Sequence, residues 1–247
     1  MALPDRIAIT AAMENELGFL RKAMTPAPHP RERYAVGTIG PKTVMVLRTG
    51  VGPRKTTRRL SEAEWSETPQ CMLSIGCAGA LSDTLRIGDA IIADKIVTDS
   101  PGTPVFAPAA ELMQTARNCC EKLNTRFHTG TTVSASTVAA TTEDKTSLAT
   151  EYGALAVDME SGQVAAWAEN AGIPLLAIRT ISDALADSIP PEAASLVDPQ
   201  GKLVPRRIVS LAISSPSLFL SIFRLKRNLD FSLRMLEKIV MALLREP

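Results

Sequence analysis

Three carboxylate-bearing segments hold the residues of this chain best suited to chemistry. The apolar run Ala154-Leu155-Ala156-Val157 ends in Asp158-Met159-Glu160, a second run ends in Arg179-Thr180-Ile181-Ser182-Asp183, and Ala12-Met13-Glu14-Asn15-Glu16 follows a short apolar run near the N-terminus. Acids at or just beyond strand ends suit the cleavage of a glycosidic bond to a purine, which breaks through an oxocarbenium-like state. That reaction needs an acid at the leaving base, a fixed sugar and an activated nucleophile, and a carboxyl group can perform each task. The only histidines are His29 and His128, and the four cysteines, Cys71, Cys77, Cys119 and Cys120, show no C-x-x-C spacing. A zinc site and a His-based triad are therefore disfavoured, and no metal or cofactor is expected. Cys119-Cys120 read as core thiols in a helix.

The elements that must position these acids alternate. Strand-like runs at Ile7–Thr10, Thr43–Leu47, Met72–Ile75, Ala90–Ile96, Gly130–Ser134, Ala154–Val157 and Leu175–Ile178 are interleaved with helical stretches near Glu14–Met24, Arg54–Trp65, Ala109–Leu123, Glu143–Tyr152 and Gly162–Ala171. Alternation predicts an α/β fold, three-layer α/β/α, with a mixed twisted sheet and helices on both faces. Ligands in such sheets gather where strands end. No G-x-G-x-x-G opens a helix with an acid about twenty residues further on, so a dinucleotide site is not expected.

The acidic segments, together with Thr49-Gly50-Val51-Gly52 and Ile75-Gly76-Cys77-Ala78-Gly79-Ala80, occur in the order seen in the purine nucleoside phosphorylase and nucleosidase superfamily. The chain resembles that superfamily from Ile7 to Asp183, and its N-terminal motif is similar to that of methylthioadenosine/S-adenosylhomocysteine nucleosidases. The resemblance implies that Glu160 accepts hydrogen bonds from the ribose hydroxyls, with Met159 packing on the sugar. It implies that Asp183, oriented by Ser182, protonates purine N7, and that Glu16 holds and deprotonates the attacking water. It places Cys77, Ala78 and Gly79 against the substrate and Val138-Ala139 in the base-facing loop, here without an aromatic. Asp158 stands where the family often has Glu. To keep a proton for the base, Asp183 is expected to be buried away from cations. Plainer roles compete: Glu160 or Ser182-Asp183 as helix caps, Glu14 as a complement to a helix dipole, and Gly50, Gly52, Gly76 and Gly79 as tight turns.

Water is favoured over phosphate as the acceptor. Phosphorylases of this superfamily commonly carry an Arg where Ser74 stands and a Ser or Thr where Cys77 stands, and a thiol is the poorer donor. Arg48, Arg54 and Lys55 flank Gly50-Val51-Gly52 and read as surface charges at a helix start, with anion binding the alternative.

Charge separates the C-terminus from the rest. Residues 201–247 carry nine Lys/Arg and three Asp/Glu, a net +6, against 18 basic and 23 acidic residues, a net −5, in the remainder. Beyond Pro216, Leu218, Ile222, Leu225, Leu229, Leu233, Leu236, Val240 and Leu243 recur three and four apart, an amphipathic helix with Arg224, Lys226, Arg227, Arg234 and Lys238 around its stripe. The apolar stretches here, including Ile208–Ala212, are too short and interrupted to span a bilayer. This ending resembles the hopanoid-associated phosphorylase-like branch, implicated in removing adenine from adenosylhopane. A contact between 204–247 and an anionic membrane is thus one expectation, and core packing or a subunit contact is the other. With 247 residues and no dividing linker in its first two hundred, the chain reads as a catalytic domain over 1–203 with a helical extension of the same domain over 204–247. It has no signal pattern, so a cytosolic protein is expected, with a nucleoside as partner, no nucleic acid, and self-association, most simply as a dimer.

Overall fold

The computed structural model describes residues 3–27, 34–65, 67–100, 102, 104–190 and 215–246. Strand alternation builds two cores. In β1 (Arg6–Ala11), Ile7 and Ile9 enter one and Ala8 the other; in β4 (Lys42–Arg48), Val44 and Val46 oppose Met45 and Leu47. β5 (Cys71–Ala80) and β9 (Leu175–Asp183) repeat the pattern, with Leu73 and Ile178 on the first side and Met72 and Ala177 on the second. The first core is closed by α1 (Gly18–Ala23), α3 (Ala110–Lys122) and α6 (Pro216–Arg245). The second is closed by α2 (Pro53–Ser61) and α5 (Ser161–Asn170). The result is the expected three-layer α/β fold with a mixed sheet.

The remaining strands are β2 (Thr25–Pro26), β3 (Ala35–Ile39), β6 (Ala90–Thr98), β7 (Phe127–Ser134) and β8 (Ala156–Asp158). The sheet runs β2-β3-β4-β1-β5-β8-β7-β6-β9, and β9 also pairs with β5, parallel, so the last five strands close on themselves. α4 (Thr142–Tyr152) starts at a capping box between Thr141 and Asp144 and stops at Gly153, whose φ of 59° is left-handed.

Several boundaries differ from those read in the sequence. The short strands β2 and β3 are not apparent there, and β8 begins two residues later than the run at Ala154. The stretch Glu14–Met24 divides into a 3-10 turn at Glu14–Glu16 and α1, because the Glu16 side chain turns back to the Met13 N–H. α2 stops at Ser61, short of Trp65, and Glu64 has a φ of 43°, which no α-helix accommodates.

The predicted stripe on α6 is buried unevenly. Leu236, Val240 and Leu243, with Ile239 and Leu244, are fully buried in the first core, whereas Leu218, Ile222, Leu225, Leu229 and Leu233 are half-buried, and Leu220, Phe223 and Phe231, off the stripe, are exposed. Its second half is therefore core. Residues 204–214, with the run Ile208–Ala212 and the expected boundary at 203, lie outside the described residues. No helix among the described residues is long and apolar enough to cross a membrane.

Candidate active site

Glu16 follows β1 and is buried, 3% exposed. Its Oε2 accepts the Met13 N–H at 2.9 Å and its Oε1 the Cys77 N–H at 3.0 Å, so both oxygens are fixed by backbone donors. Burial pushes its carboxyl above the ordinary range, opposed by those two hydrogen bonds and by Arg179. Gly76 is what admits it: a Cβ at that position would lie 2.9 Å from Glu16 Oε1. Gly76 and Gly79 are strand residues, not the tight turns their type suggested, and make room for carboxylates. Gly50 and Gly52, with φ of 81° and 92°, are the turn glycines. Glu14 is exposed and pairs with Arg21 at 2.8 Å.

Glu160 follows β8 and occupies the N-cap position of α5, yet its side chain caps nothing. Its Oε1 instead accepts the Gly52 N–H at 2.7 Å. Asp158 does the capping: its Oδ1 accepts from Glu160 N, Ser161 N and Ser161 Oγ, and its Oδ2 takes Arg179 Nε at 2.6 Å. Burial, then the Asp158 charge, pushes Glu160 up to about 7. The Met159 methyl stands 3.9 Å from where a Cβ on Gly52 would lie, which brings Asp158-Met159-Glu160 onto the N-terminus of α2.

Asp183 ends β9. An irregularity in the β5–β9 register sets it opposite Gly79, and a Cβ on Gly79 would lie 2.9 Å from Asp183 Oδ2. Ser182 Oγ donates to Asp183 Oδ1 at 2.9 Å, with Ala78 O a second acceptor at 3.3 Å. The expectation that no cation would touch Asp183 is overturned. Lys145 of α4, fully buried, donates to Asp183 Oδ2 at 2.5 Å and to the carbonyls of Ala184 and Asp187 at 2.7 and 2.8 Å. A buried ammonium needs such acceptors, and the loop after β9 supplies them.

A narrow pocket unites part of this set, lined by Glu16, Ser74, Gly76, Cys77, Glu160 and Arg179 among others. Asp183 and Ser182 on β9, Ala78 and Gly79 on β5, and Met159 after β8 are not among its lining residues. Cys77 contributes its backbone: its thiol turns to Ser232 of α6 at 3.5 Å, and burial pushes that thiol up to about 12, so it is a neutral group and no nucleophile. Val138 is exposed, and Ala139 packs against the small core that holds Val97, Val133 and Val157. Their loop is tied down where Ala140 and Thr141 donate to Asp144 and Ile189 N donates to Ala140 O. Arg48 and Arg54 are exposed, and the Lys55 stem packs over Gly50. Among the described residues no three His, Cys, Asp or Glu side chains gather as a metal site requires.

Two cations are given no role in the sequence reading. Arg179 interrupts a buried apolar strand, and a charge there must be paired; with Asp158 at the end of another such strand, the partner could have been inferred. Lys145 gives no comparable signal, since α4 is polar on most of its surface.

Fold and site together define an α/β protein whose carboxylates meet at strand ends. The chain belongs to the Phosphorylase superfamily, whose sequence model matches residues 6–209, and is an enzyme of the nucleoside phosphorylase superfamily. The 5′-methylthioadenosine/S-adenosylhomocysteine nucleosidase of a Shewanella species is 25% identical over 199 residues, 72% of this chain and 85% of the relative. A DeoD-type purine nucleoside phosphorylase of Bacillus cereus is 29% identical over 156 residues, 60% of this chain and 66% of the relative. The solved 5′-methylthioadenosine/S-adenosylhomocysteine nucleosidase of Neisseria meningitidis, in complex with methylthio-immucillin-A, shares the fold. It superposes with a TM-score of 0.76 over 98% of this chain and 99% of its own, at 17% identity.

Proposed function

We propose that the protein hydrolyses the N-glycosidic bond of an adenine nucleoside substituted at the ribose 5′ position. The observation that carries the choice of water is the state of Arg179. Among the described residues it is the one cation lining the pocket, and its guanidinium is committed to Asp158 Oδ2, Ser74 O and Ser74 Oγ. A phosphate dianion beside Glu16 and Glu160 would meet two acids and an already neutralised base, whereas a water molecule finds an acceptor in Glu16.

In this reading Glu160 accepts hydrogen bonds from the ribose hydroxyls, Met159 packs on the sugar and Val138-Ala139 face the base. As the C1′–N9 bond breaks, its electron pair passes to the purine and Asp183 gives a proton to N7. Glu16 takes a proton from the water that bonds to C1′. The sugar leaves with a new hydroxyl and the base leaves neutral. The 5′-substituent is a thioether, as in the thioadenosines, or a lipid, as in adenosylhopane. Asp183→Asn keeps the shape of the side chain and loses the transferable proton, so adenine release from a thioadenosine should fall by about a hundredfold to ten-thousandfold. Near-normal release would remove Asp183 from the mechanism.

Exposed Leu220 and Phe223, beside Arg224, Lys226 and Arg227, favour the lipid alternative, because apolar and cationic groups together suit an anionic bilayer surface. Binding to anionic vesicles that weakens with salt supports it, and no binding at low salt counts against it.

A further inference from the structure

Lys145 stands apart from every role assigned so far. An ammonium that is 0% exposed, with all three of its N–H bonds directed at protein oxygens, is an expensive arrangement unless its charge is used. Among the described residues its one ionic partner is Asp183, and it reaches that carboxyl from α4, an element that otherwise lies on the surface. The same ammonium holds Ala184 and Asp187, so it fixes the loop that follows the acid.

We propose that Lys145 is the positioning residue of Asp183, holding its carboxyl at the base and neutralising the carboxylate that remains once the proton has gone to N7. The inference rests on the reading of Asp183 as the general acid. Asp183 takes a proton from solvent before each turnover and passes it to N7 as the C1′–N9 pair goes to the purine; the neighbouring ammonium opposes that uptake and favours the transfer. Lys145 keeps its three protons throughout, and its charge faces the new anion at Oδ2. Ser182 serves both states. Its hydroxyl has two acceptors, Ala78 O at 3.3 Å and Asp183 Oδ1 at 2.9 Å, so it turns to the backbone while the carboxyl is protonated and to Oδ1 when it is ionised. After base release the proton that Glu16 took from water returns through solvent to Asp183, closing the cycle with no net change of charge in the site.

The test is steady-state and single-turnover release of adenine from methylthioadenosine by the native enzyme, Lys145→Met, Asp183→Asn and the double variant, with thermal melts of each. Methionine approaches the length of lysine and removes the charge. Lys145→Met should lower kcat by about tenfold to a hundredfold, the range of a charge-assisted hydrogen bond, with KM within about threefold. The double variant should be no slower than Asp183→Asn, because two residues acting in one step are not additive. A native kcat in Lys145→Met, or losses that multiply in the double variant, would overturn the proposal. So would a variant that melts like the native protein but loses only substrate affinity. Failure of the underlying reading looks different: Asp183→Asn would then release adenine at the native rate.

Discussion

The Gly52 N–H and Glu160 Oε1 lie 2.7 Å apart and join segments 108 residues distant in sequence, fixing the start of α2 to the start of α5. The bond holds one oxygen of the acid, and no other donor to that carboxylate is present among the described residues. Glu160→Gln should weaken ribose recognition by about tenfold to a hundredfold, because an amide presents a donor where a carboxylate offers only acceptors. Comparing ribonucleoside with 2′-deoxynucleoside turnover in both proteins checks this. Equal turnover of the two by the native enzyme would remove Glu160 from the sugar.

Glu160 also makes stability depend on pH, with a definite sign. Burial and then Asp158 raise the folded-state value to about 7, above the 4.5 of the exposed group. Between those values the folded protein holds a proton that the unfolded chain has lost. Stability from this group is therefore greatest at the acidic side of the window and declines as pH rises through it. Melting curves at about pH 5 and about pH 8 should show the native protein losing ground to Glu160→Gln at the higher pH. A constant difference would mean that Glu160 titrates at its ordinary value.

Glu16 must be ionised to take a proton from water, and burial raises it. The acid limb of kcat/KM should accordingly lie above the ordinary carboxylate range, and Glu16→Gln should abolish hydrolysis. A second route reaches the same group. Gly76→Ala would press a methyl group to 2.9 Å from Oε1 at an ordinary φ, so the carboxylate must move while the strand survives. A displacement of this kind can cost about a hundredfold in rate. Adenine release alongside a thermal melt separates the two effects, and undiminished activity in Gly76→Ala would place Glu16 outside the reaction.

Most of the architecture is legible in the sequence because it follows from periodicity. Ile7, Ala8 and Ile9 alternate as a strand buried on both faces must, and β1, β4, β5 and β9 can be placed from such runs. β2 and β3 escape because two or five mixed residues carry no period. The acids are legible as types at strand ends, and a pairing of Asp158 with Arg179 can be inferred, but the remaining partners are not legible. Sequence spacing does not show that Asp158, rather than Glu160, caps α5, since the decision lies in where Gly52 and Arg179 fall in space. The Lys145 contact is a product of topology alone, joining α4 to the end of β9 across 38 residues. Nor does the stripe on α6 reveal what it covers, because a helix that packs on a sheet and one that lies on a membrane share one pattern.

That last ambiguity has a direct consequence for truncation. An interfacial helix could be removed with residues 217–247 at no harm to a soluble substrate's turnover. Leu236, Ile239, Val240, Leu243 and Leu244 are instead fully buried beside β1, β5 and α3, so their removal should unfold the protein. Leu236→Ala alone should cost about 2–5 kcal/mol. Leu220→Ser, at an exposed site, should fall within about 0.5 kcal/mol of the native protein. Urea midpoints decide, and a stable, active truncation would contradict the packing described.

Whether water or phosphate accepts the ribosyl group is decided by the sugar product. The native enzyme should be given methylthioadenosine with and without inorganic phosphate and that product identified. Adenine with free methylthioribose, at a rate that phosphate leaves unchanged, is the predicted result. Strict dependence on phosphate, with methylthioribose 1-phosphate as the product, would contradict it and make the protein a phosphorylase.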